Sequence, residues 1–317
     1  MLNRPQALNA LTLEMIEAVG AALNDWRDDP TIHAVVTEGT GGRAFCAGGD
    51  IRAIRAASLA GRHDEVEAFF ASEYAVNQAI ADYPKPYIAL IDGICMGGGI
   101  GLSVHGFARV ATEAAMFAMP ETGIALFPDV GATFALPRLR GEIGMYLALT
   151  GARLHGPDAV FAGLATHFTD SATLGTVADR LVQDGPAALG MVAQPFEAPL
   201  ALHVDAINHC FGANSVAGIV DRLQAADTDW SRTTLSTLRS MSPSAVLWTF
   251  EIVHAGATRT LAECLAAELA LTRRVTRHPD FAEGVRAMVV DKDRQPRWSV
   301  ARLEDVDPTT ITAMFHS

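Results

Sequence analysis

Short strand-like segments alternate with helical segments over the first half of this 317-residue chain. His33–Glu38 and Tyr87–Ile91 are short, apolar and rich in β-branched or aromatic residues, which predicts buried strands. Between them, Asp64–Ala81 has the length and composition of a helix. An alternation of this kind indicates a layered α/β fold, because each helix must cover the apolar face of a sheet.

The last third of the chain has a different character, because its strand signals fade and helical periodicity takes over. A stretch with three prolines, Asp184–Pro199, separates the two parts and suggests a linker. The sequence therefore predicts an α/β core over residues 1–185 and a helical C-terminal extension, residues 186–317, packed on that core. Helical spacing of apolar residues marks Leu13–Trp26, Ser215–Ala226, Ser244–Ala255, Thr260–Arg277 and Asp280–Met288.

Composition excludes several classes of function. The net charge of −12 argues against nucleic acid as the main partner. No apolar run reaches the about 18–20 residues of a membrane span, and the first residues lack the apolar segment of a signal peptide. The four cysteines are widely spaced, and Cys46 is interpreted as a small buried thiol. We expect a cytoplasmic enzyme without a membrane partner. Whether it forms a homo-oligomer is an open question at this point.

Two glycine-rich turns, Arg43–Ile51 and Gly93–Gly101, each follow a strand-like segment. The second turn does not fit a dinucleotide site, because G-x-G-x-x-G would need glycine where Leu102 or Val104 stands. Glycines at a helix start can serve close packing alone. They can also let a ligand oxygen approach backbone N–H groups, and two such donors make an oxyanion hole.

Two acids interrupt the apolar segment FAMPETGIALFPDVGATFALPRL, residues 117–139. Glu121 and Asp129 each follow a proline and lie among aliphatic and aromatic residues. Buried carboxylates are costly unless they are paired or hydrogen-bonded, so their presence indicates a site. The alternative is that both acids begin helices, with Asp129 capping a helix over Val130–Arg138.

Four ordered motifs resemble the crotonase, or enoyl-CoA hydratase/isomerase, superfamily: LNRPQALNAL, GGRAFCAGGDI, GICMGGGIGLS and AMPETGIALFPDVG. LSVHG and the tail EGVRAMVVDKDRQPRW are similar to its 3-hydroxyisobutyryl-CoA hydrolase branch. The resemblance implies a spiral of ββα units followed by a helical C-terminal region. Members of the family usually carry one or two strands before the LNRP motif, which here begins at residue 2, so either the start of the chain is assigned late or the first sheet is short.

The resemblance assigns roles to the glycine-rich turns. The thioester carbonyl would be polarised by the backbone N–H of Ala47 or of its neighbour Gly48, together with that of Gly98. The acyl-CoA would also contact a group of residues beside the first turn: Gly49, Asp50 and Arg52. For Arg52 the alternative is a solvated surface arginine.

The acids receive roles in the same way. Glu121 matches the catalytic acid that hydratases and hydrolases share, whereas the second hydratase acid falls on Gly101, which has no side chain. Asp129 stands where hydratases commonly have glycine, as in the hydrolase branch. Glu73 matches an acid that lines the acyl pocket, and its alternative role is a solvated helix acid.

The sequence thus predicts hydrolysis of a short branched 3-hydroxyacyl-CoA to the free acid and CoA, within valine catabolism by resemblance. Glu121 would act as base or nucleophile and Asp129 would bind the 3-hydroxyl or position water. No cofactor is expected besides the CoA of the substrate, and the histidines show no metal-ligand spacing. The alternatives are an enoyl-CoA hydratase or isomerase and a non-catalytic acyl-CoA-binding protein.

Overall fold

The computed structural model describes residues 1–192 and 195–315, so residues 193 and 194 of the predicted linker lie outside the described residues. The described part contains eight short strands. In chain order they are β1 (Val35–Glu38), β2 (Ala44–Cys46), β3 (Tyr87–Ile91), β4 (Ile94–Met96), β5 (Ala108–Ala111), β6 (Met116–Ala118), β7 (Leu154–His155) and β8 (His167–Phe168).

Helices make up most of the rest, and no helix of the described residues has both the length and the apolar character needed to cross a bilayer. A π-helix, Arg286–Val290, directly follows α14. The α-helices are α1 (Leu13–Arg27), α2 (Ile51–Leu59), α3 (His63–Ala81), α4 (Gly98–Val104), α5 (Ala132–Ala135), α6 (Ile143–Thr150), α7 (Gly156–Ala162), α8 (Ser171–Asp184), α9 (Val204–Phe211), α10 (Val216–Ala226), α11 (Asp229–Ser240), α12 (Pro243–Gly256), α13 (Leu261–Val275), α14 (Pro279–Val285) and α15 (Pro308–Ala313).

From β1 to β6, successive strands alternate between two four-stranded sheets; β7 stays in the sheet of β6, and β8 lies in the other sheet. One sheet has the order β1-β3-β5-β8 and the other has the order β2-β4-β6-β7. All neighbours pair in parallel except β6 and β7. The pairs β1–β2, β3–β4 and β5–β6 each contribute one strand to each sheet and are each followed by helices, which confirms the predicted spiral of ββα units with a helical C-terminal region.

Strand β3 shows why the sequence forms this sheet. All five residues of YIALI are buried, as expected for a parallel strand covered on both faces. Ile88 lies opposite Ala108 in β5, and Val36 in β1 lies opposite Ile88. Ile88 and Leu90 pack with Val177 and Leu181 of α8, which closes one side of the sheet.

The chain divides into two compact units. The first unit contains both sheets and consists of Met1–Gly49, Ser72–Ala118 and Arg153–Leu202. The second unit combines Asp50–Ala71 and Met119–Ala152 with the chain from His203 onward. This division differs from a single boundary after residue 185, and the domain boundary predicted from sequence stays a prediction.

The predicted helices and strands are present within a few residues of their predicted bounds, but several other elements were not predicted. Helix α1 begins at Leu13, where the sequence predicted it, and the hydroxyl of its N-cap residue Thr12 accepts from Met15 N at 3.3 Å. The second glycine-rich turn contains strand β4, which was not predicted, and α4 begins within that turn, at Gly98. A three-residue strand between glycines has too little periodicity to be recognised. Helices α9 and α11 were not predicted either.

Candidate active site

The two glycine-rich turns lie side by side in the first unit. Gly48 has a φ of +102°, a conformation that residues with a side chain rarely adopt. A Cβ placed on Gly48 would lie 3.4 Å from Met96 O and 3.8 Å from Gly98 N. The backbone of the first turn therefore approaches the start of α4 at the two positions predicted to form an oxyanion hole.

The backbone N–H groups of these turns are not equally available. Ala47 N donates to Leu8 O at 3.0 Å, so its N–H is already used within the protein. Neither Gly48 nor Gly49 donates its N–H to another residue of the described part of the chain. Gly98 is the first residue of α4, where the N–H has no acceptor within the helix. Of the two donors predicted for the first turn, the hydrogen bonding excludes Ala47 and favours Gly48.

Glycine at position 98 also gives room to a carboxylate. A Cβ placed there would lie 2.3 Å from Glu73 Oε1 and 3.0 Å from Leu11 Cδ1. Glu73 lies on α3 and is only 3% exposed, so the alternative of a solvated helix acid is wrong. Glu73 thus contacts the candidate oxyanion donor directly.

Close packing explains a different glycine of the same turn. A Cβ on Gly99 would lie 2.4 Å from Cys46 O, so this position tolerates no side chain. The Cys46 thiol is fully buried, and burial raises its pKa to about 12. Cys46 is therefore the packed, unreactive thiol that the sequence predicted.

Asp50 and Arg52 have local structural partners in the second unit. Asp50 is the N-cap of α2, and its carboxylate accepts from Ala53 N at 3.3 Å. The exposed Arg52 donates through Nη2 to Val289 O at 2.5 Å. Their predicted contacts with CoA stay predictions.

Glu121 begins a short 3₁₀ helix, Glu121–Ile124, and is 7% exposed. Helices of the second unit hold this segment. Thr122 Oγ1 donates to Ala148 O in α6 at 2.7 Å, and Trp248 Nε1 in α12 donates to Leu126 O at 3.0 Å. Glu121 thus lies at a helix start, as the alternative proposed, and is also buried as a site residue would be.

Asp129 lies in a left-handed turn and is 4% exposed. Val130 and Gly131 follow with φ values of +55° and +77°, and Ala132 N donates to Asp129 O at 2.8 Å. Helix α5 begins only at Ala132, and its N-cap residue is Gly131, which has no side chain to cap it. The alternative in which Asp129 caps this helix is therefore wrong.

A third acid of the second unit, Glu268 on α13, was not identified from the sequence. It is fully buried and accepts hydrogen bonds from Gly131 and Thr133, directly after Asp129. Burial raises the pKa of Glu268 to about 8, and the Asp129 charge acts in the same direction. A signal was present, because Leu265 and Leu271 place Glu268 on the apolar face of its helix. Among the described residues no group of three or more acidic, histidine or cysteine side chains could hold a metal ion.

Comparison with known proteins identifies the family. The sequence profile of the enoyl-CoA hydratase/isomerase family matches residues 1–315. The chain belongs to this family. The resemblance read from the four motifs is thereby confirmed, and so is the expectation of an enzyme fold that handles acyl-CoA.

Three similar curated proteins share the name 3-hydroxyisobutyryl-CoA hydrolase. The mitochondrial 3-hydroxyisobutyryl-CoA hydrolases of Rattus norvegicus and Homo sapiens are each 44% identical over 329 aligned positions, and that of Xenopus tropicalis is 45% identical. In each case the alignment covers 100% of this chain and 85% of the relative.

Similar solved structures carry other names. A carnitinyl-CoA dehydratase from Mycobacterium thermoresistibile has a TM-score of 0.95 at 36% identity. An enoyl-CoA hydratase from Rhodobacter sphaeroides has a TM-score of 0.91 at 40% identity. Both matches cover 99% of this chain and 92% of the other chain.

Proposed function

We propose that this protein hydrolyses a short branched 3-hydroxyacyl-CoA thioester, of the 3-hydroxyisobutyryl-CoA kind, to the free acid and CoA. The observation that carries the proposal is the presence of two buried acids, Glu121 and Asp129, in a chain about 44% identical along its whole length to hydrolases of that name. A role in valine catabolism and a cytoplasmic location belong to the same proposal.

Backbone groups of the first unit would stabilise the developing charge. In thioester hydrolysis the carbonyl carbon becomes tetrahedral and its oxygen becomes negatively charged, and two fixed hydrogen-bond donors stabilise this oxyanion. The N–H groups of Gly48 and Gly98 are assigned to it. Glu73, buried next to Gly98, is assigned to the acyl group, and Gly49, Asp50 and Arg52 are assigned to the CoA.

Glu121 would activate the nucleophile or act as the nucleophile itself. Glu121 either takes a proton from the attacking water or attacks the carbonyl itself and forms a mixed anhydride that water then cleaves. Asp129 is assigned to the 3-hydroxyl of the substrate. In the direct route the water oxygen ends in the carboxylate product, whereas in the anhydride route it ends in the product or in Glu121, depending on which carbonyl the water attacks. In both routes the sulfur of CoA leaves and takes up a proton.

A hydratase is the second candidate, because the two similar solved structures are titled a dehydratase and a hydratase. Gly101, at the position of the second hydratase acid, is a buried residue of α4 without a side chain. This favours hydrolysis. A non-catalytic acyl-CoA-binding protein has no use for the two buried acids.

Release of free thiol separates the three functions. The purified protein is incubated with 3-hydroxyisobutyryl-CoA, isobutyryl-CoA and a matching enoyl-CoA, with and without a chelator, and CoA is measured with a thiol reagent. We expect thiol release from the first substrate above all and no effect of the chelator. Water addition to the enoyl-CoA without thiol release would instead support the hydratase, and substrate binding without turnover the binding protein.

A further inference from the structure

Glu268 makes three hydrogen bonds to the segment that carries Asp129, and all of them lie within the second unit. Its Oε2 accepts from Gly131 N at 2.8 Å, and its Oε1 accepts from Thr133 N at 3.1 Å. The Thr133 hydroxyl lies 2.5 Å from Oε1. A single side chain on α13 thus binds both backbone N–H groups on the far side of the turn after Asp129.

That turn needs stabilising contacts from other parts of the protein, because its backbone conformation costs free energy. Val130 is β-branched and has a φ of +55°, where such a residue is a genuine outlier. Residues in this region persist only when their surroundings over-determine them. Here the Val130 side chain is buried, and Gly131 also has a positive φ. Glu268 accepts hydrogen bonds from the backbone N–H groups of Gly131 and Thr133.

We propose that Glu268 is a positioning residue for Asp129: it holds the left-handed turn through Gly131 and Thr133 and so sets where the Asp129 carboxylate meets the 3-hydroxyl of the substrate. The proposal rests on the proposed hydrolase function. It deepens that function by naming a residue of the C-terminal region on which discrimination between 3-hydroxyacyl and plain acyl groups depends.

Glu268→Gln changes this hold with minimal change in shape. In either orientation the amide group of Gln faces one of the two backbone N–H groups with its own N–H, so at least one of the hydrogen bonds is lost. Misplacing a functional group by about 1 Å can cost about 10²-fold in rate. We expect kcat/KM for the 3-hydroxyacyl thioester to fall by about that factor and the value for the plain acyl thioester to fall much less.

The matched control is Glu263→Gln on the same helix. Glu263 also accepts from a backbone N–H and a hydroxyl, both of Thr260, but it is exposed and caps α13. The control should hydrolyse both substrates like wild type. A second variant, Thr133→Val, removes only the hydroxyl that donates to Glu268 and serves if Glu268→Gln does not fold. It should lower the same ratio by a smaller factor than Glu268→Gln, whereas Thr133→Ser, which keeps the hydroxyl, should leave the ratio unchanged.

Coupling to Asp129 distinguishes positioning from general stability. With Asp129→Asn already present, Glu268→Gln should cause little further loss of the substrate ratio, because the group it positions has been altered. Equal losses on both substrates, or losses that multiply in the double variant, would overturn the proposal. Failure of the wild-type protein to release thiol would instead overturn the proposed hydrolase function.

Discussion

The turns that carry Glu121 and Asp129 are eight positions apart in the sequence and are held by different chemistry. Neutral groups hold the first: the Thr122 hydroxyl and the Trp248 indole donate to backbone carbonyls. A carboxyl group holds the second, since Glu268 binds Gly131 and Thr133. These two hydrogen bonds of the Glu121 turn involve only neutral groups, whereas those of the Asp129 turn involve a carboxyl group that titrates.

This difference matches the roles proposed for the two acids. A base or nucleophile must keep one position throughout the reaction, and neutral hydrogen bonds to helices provide that. A carboxylate that recognises one hydroxyl of the substrate depends on its own charge and on its orientation, and a second acid beside it influences both. Changes at the two turns should therefore have different kinetic signatures.

The largest effect is expected at Glu121. Glu121→Gln keeps the shape and removes the base or nucleophile, and general acid–base catalysis is typically worth about 10²–10⁴-fold. We expect kcat to fall by at least that factor for 3-hydroxyacyl and plain acyl thioesters alike, with little change in binding. The control is Glu251→Gln, an exposed glutamate of α12 in the same unit. A loss confined to one of the two substrates would contradict the role of Glu121.

Asp129→Asn should instead act on one substrate. The buried hydroxyl of the substrate loses a charged acceptor, and leaving such a group without its partner costs about 1–3 kcal/mol, or about 5- to 150-fold. We expect that loss in kcat/KM for the 3-hydroxyacyl thioester and a smaller one for the plain acyl thioester. The exposed Asp221→Asn is the control. Equal losses on both substrates would point to water positioning by Asp129.

Sequence reasoning identified these two acids but missed what holds one of them. Glu121 and Asp129 stand out because they are close together in an apolar segment, a local signal. Glu268 is 135 positions from Thr133, its hydrogen-bond partner, and in the sequence it is one acid in a helix rich in alanine and leucine. A contact over that distance depends on how helices pack, which periodicity does not specify.

The same reasoning explains the glycine-rich turns. Gly48 and Gly98 could be predicted as approach points because glycine permits conformations and contacts that other residues do not. The choice between Ala47 and Gly48 could not, since it depends on a hydrogen bond from Ala47 to Leu8 in a different segment. Strand β3 was predicted at its observed bounds because all its residues are apolar, whereas β4 was too short to recognise.

The pH dependence of stability should report the carboxyl that holds the Asp129 turn. Burial raises the pKa of Glu268 from 4.5 to about 8, the Asp129 charge acts in the same direction, and the hydrogen bonds from Thr133 and Gly131 oppose it. A group whose pKa is raised in the folded state stabilises the protein fully below its unfolded pKa, and this contribution is lost as pH rises through the folded pKa.

Thermal unfolding of wild type and Glu268→Gln from about pH 5 to about pH 8.5 tests this sign. The Tm of wild type should fall more steeply with rising pH than that of the variant, which has no titrating group at this position. The control is Glu263→Gln, which should follow the wild-type profile. Parallel profiles of wild type and Glu268→Gln would show that this carboxyl does not titrate in that range.

The smallest effect is expected from the neutral hydrogen bonds that fix the Glu121 turn. Thr122→Val removes the hydroxyl that donates to Ala148 O, a carbonyl in the last turn of α6 where intrahelical partners are lacking. An unsatisfied buried carbonyl costs about 1–3 kcal/mol, and each kcal/mol lowers Tm by about 2–4 °C in domains of this size class. The ratio of kcat/KM between 3-hydroxyacyl and plain acyl thioesters should not change, because nothing next to Asp129 is altered. Thr133→Val removes a hydroxyl of the same kind at the other turn and should change that ratio. If both variants changed this ratio equally, the two turns would act as one element. The difference between neutral hydrogen bonds at one turn and a titrating carboxyl group at the other would then have no functional consequence.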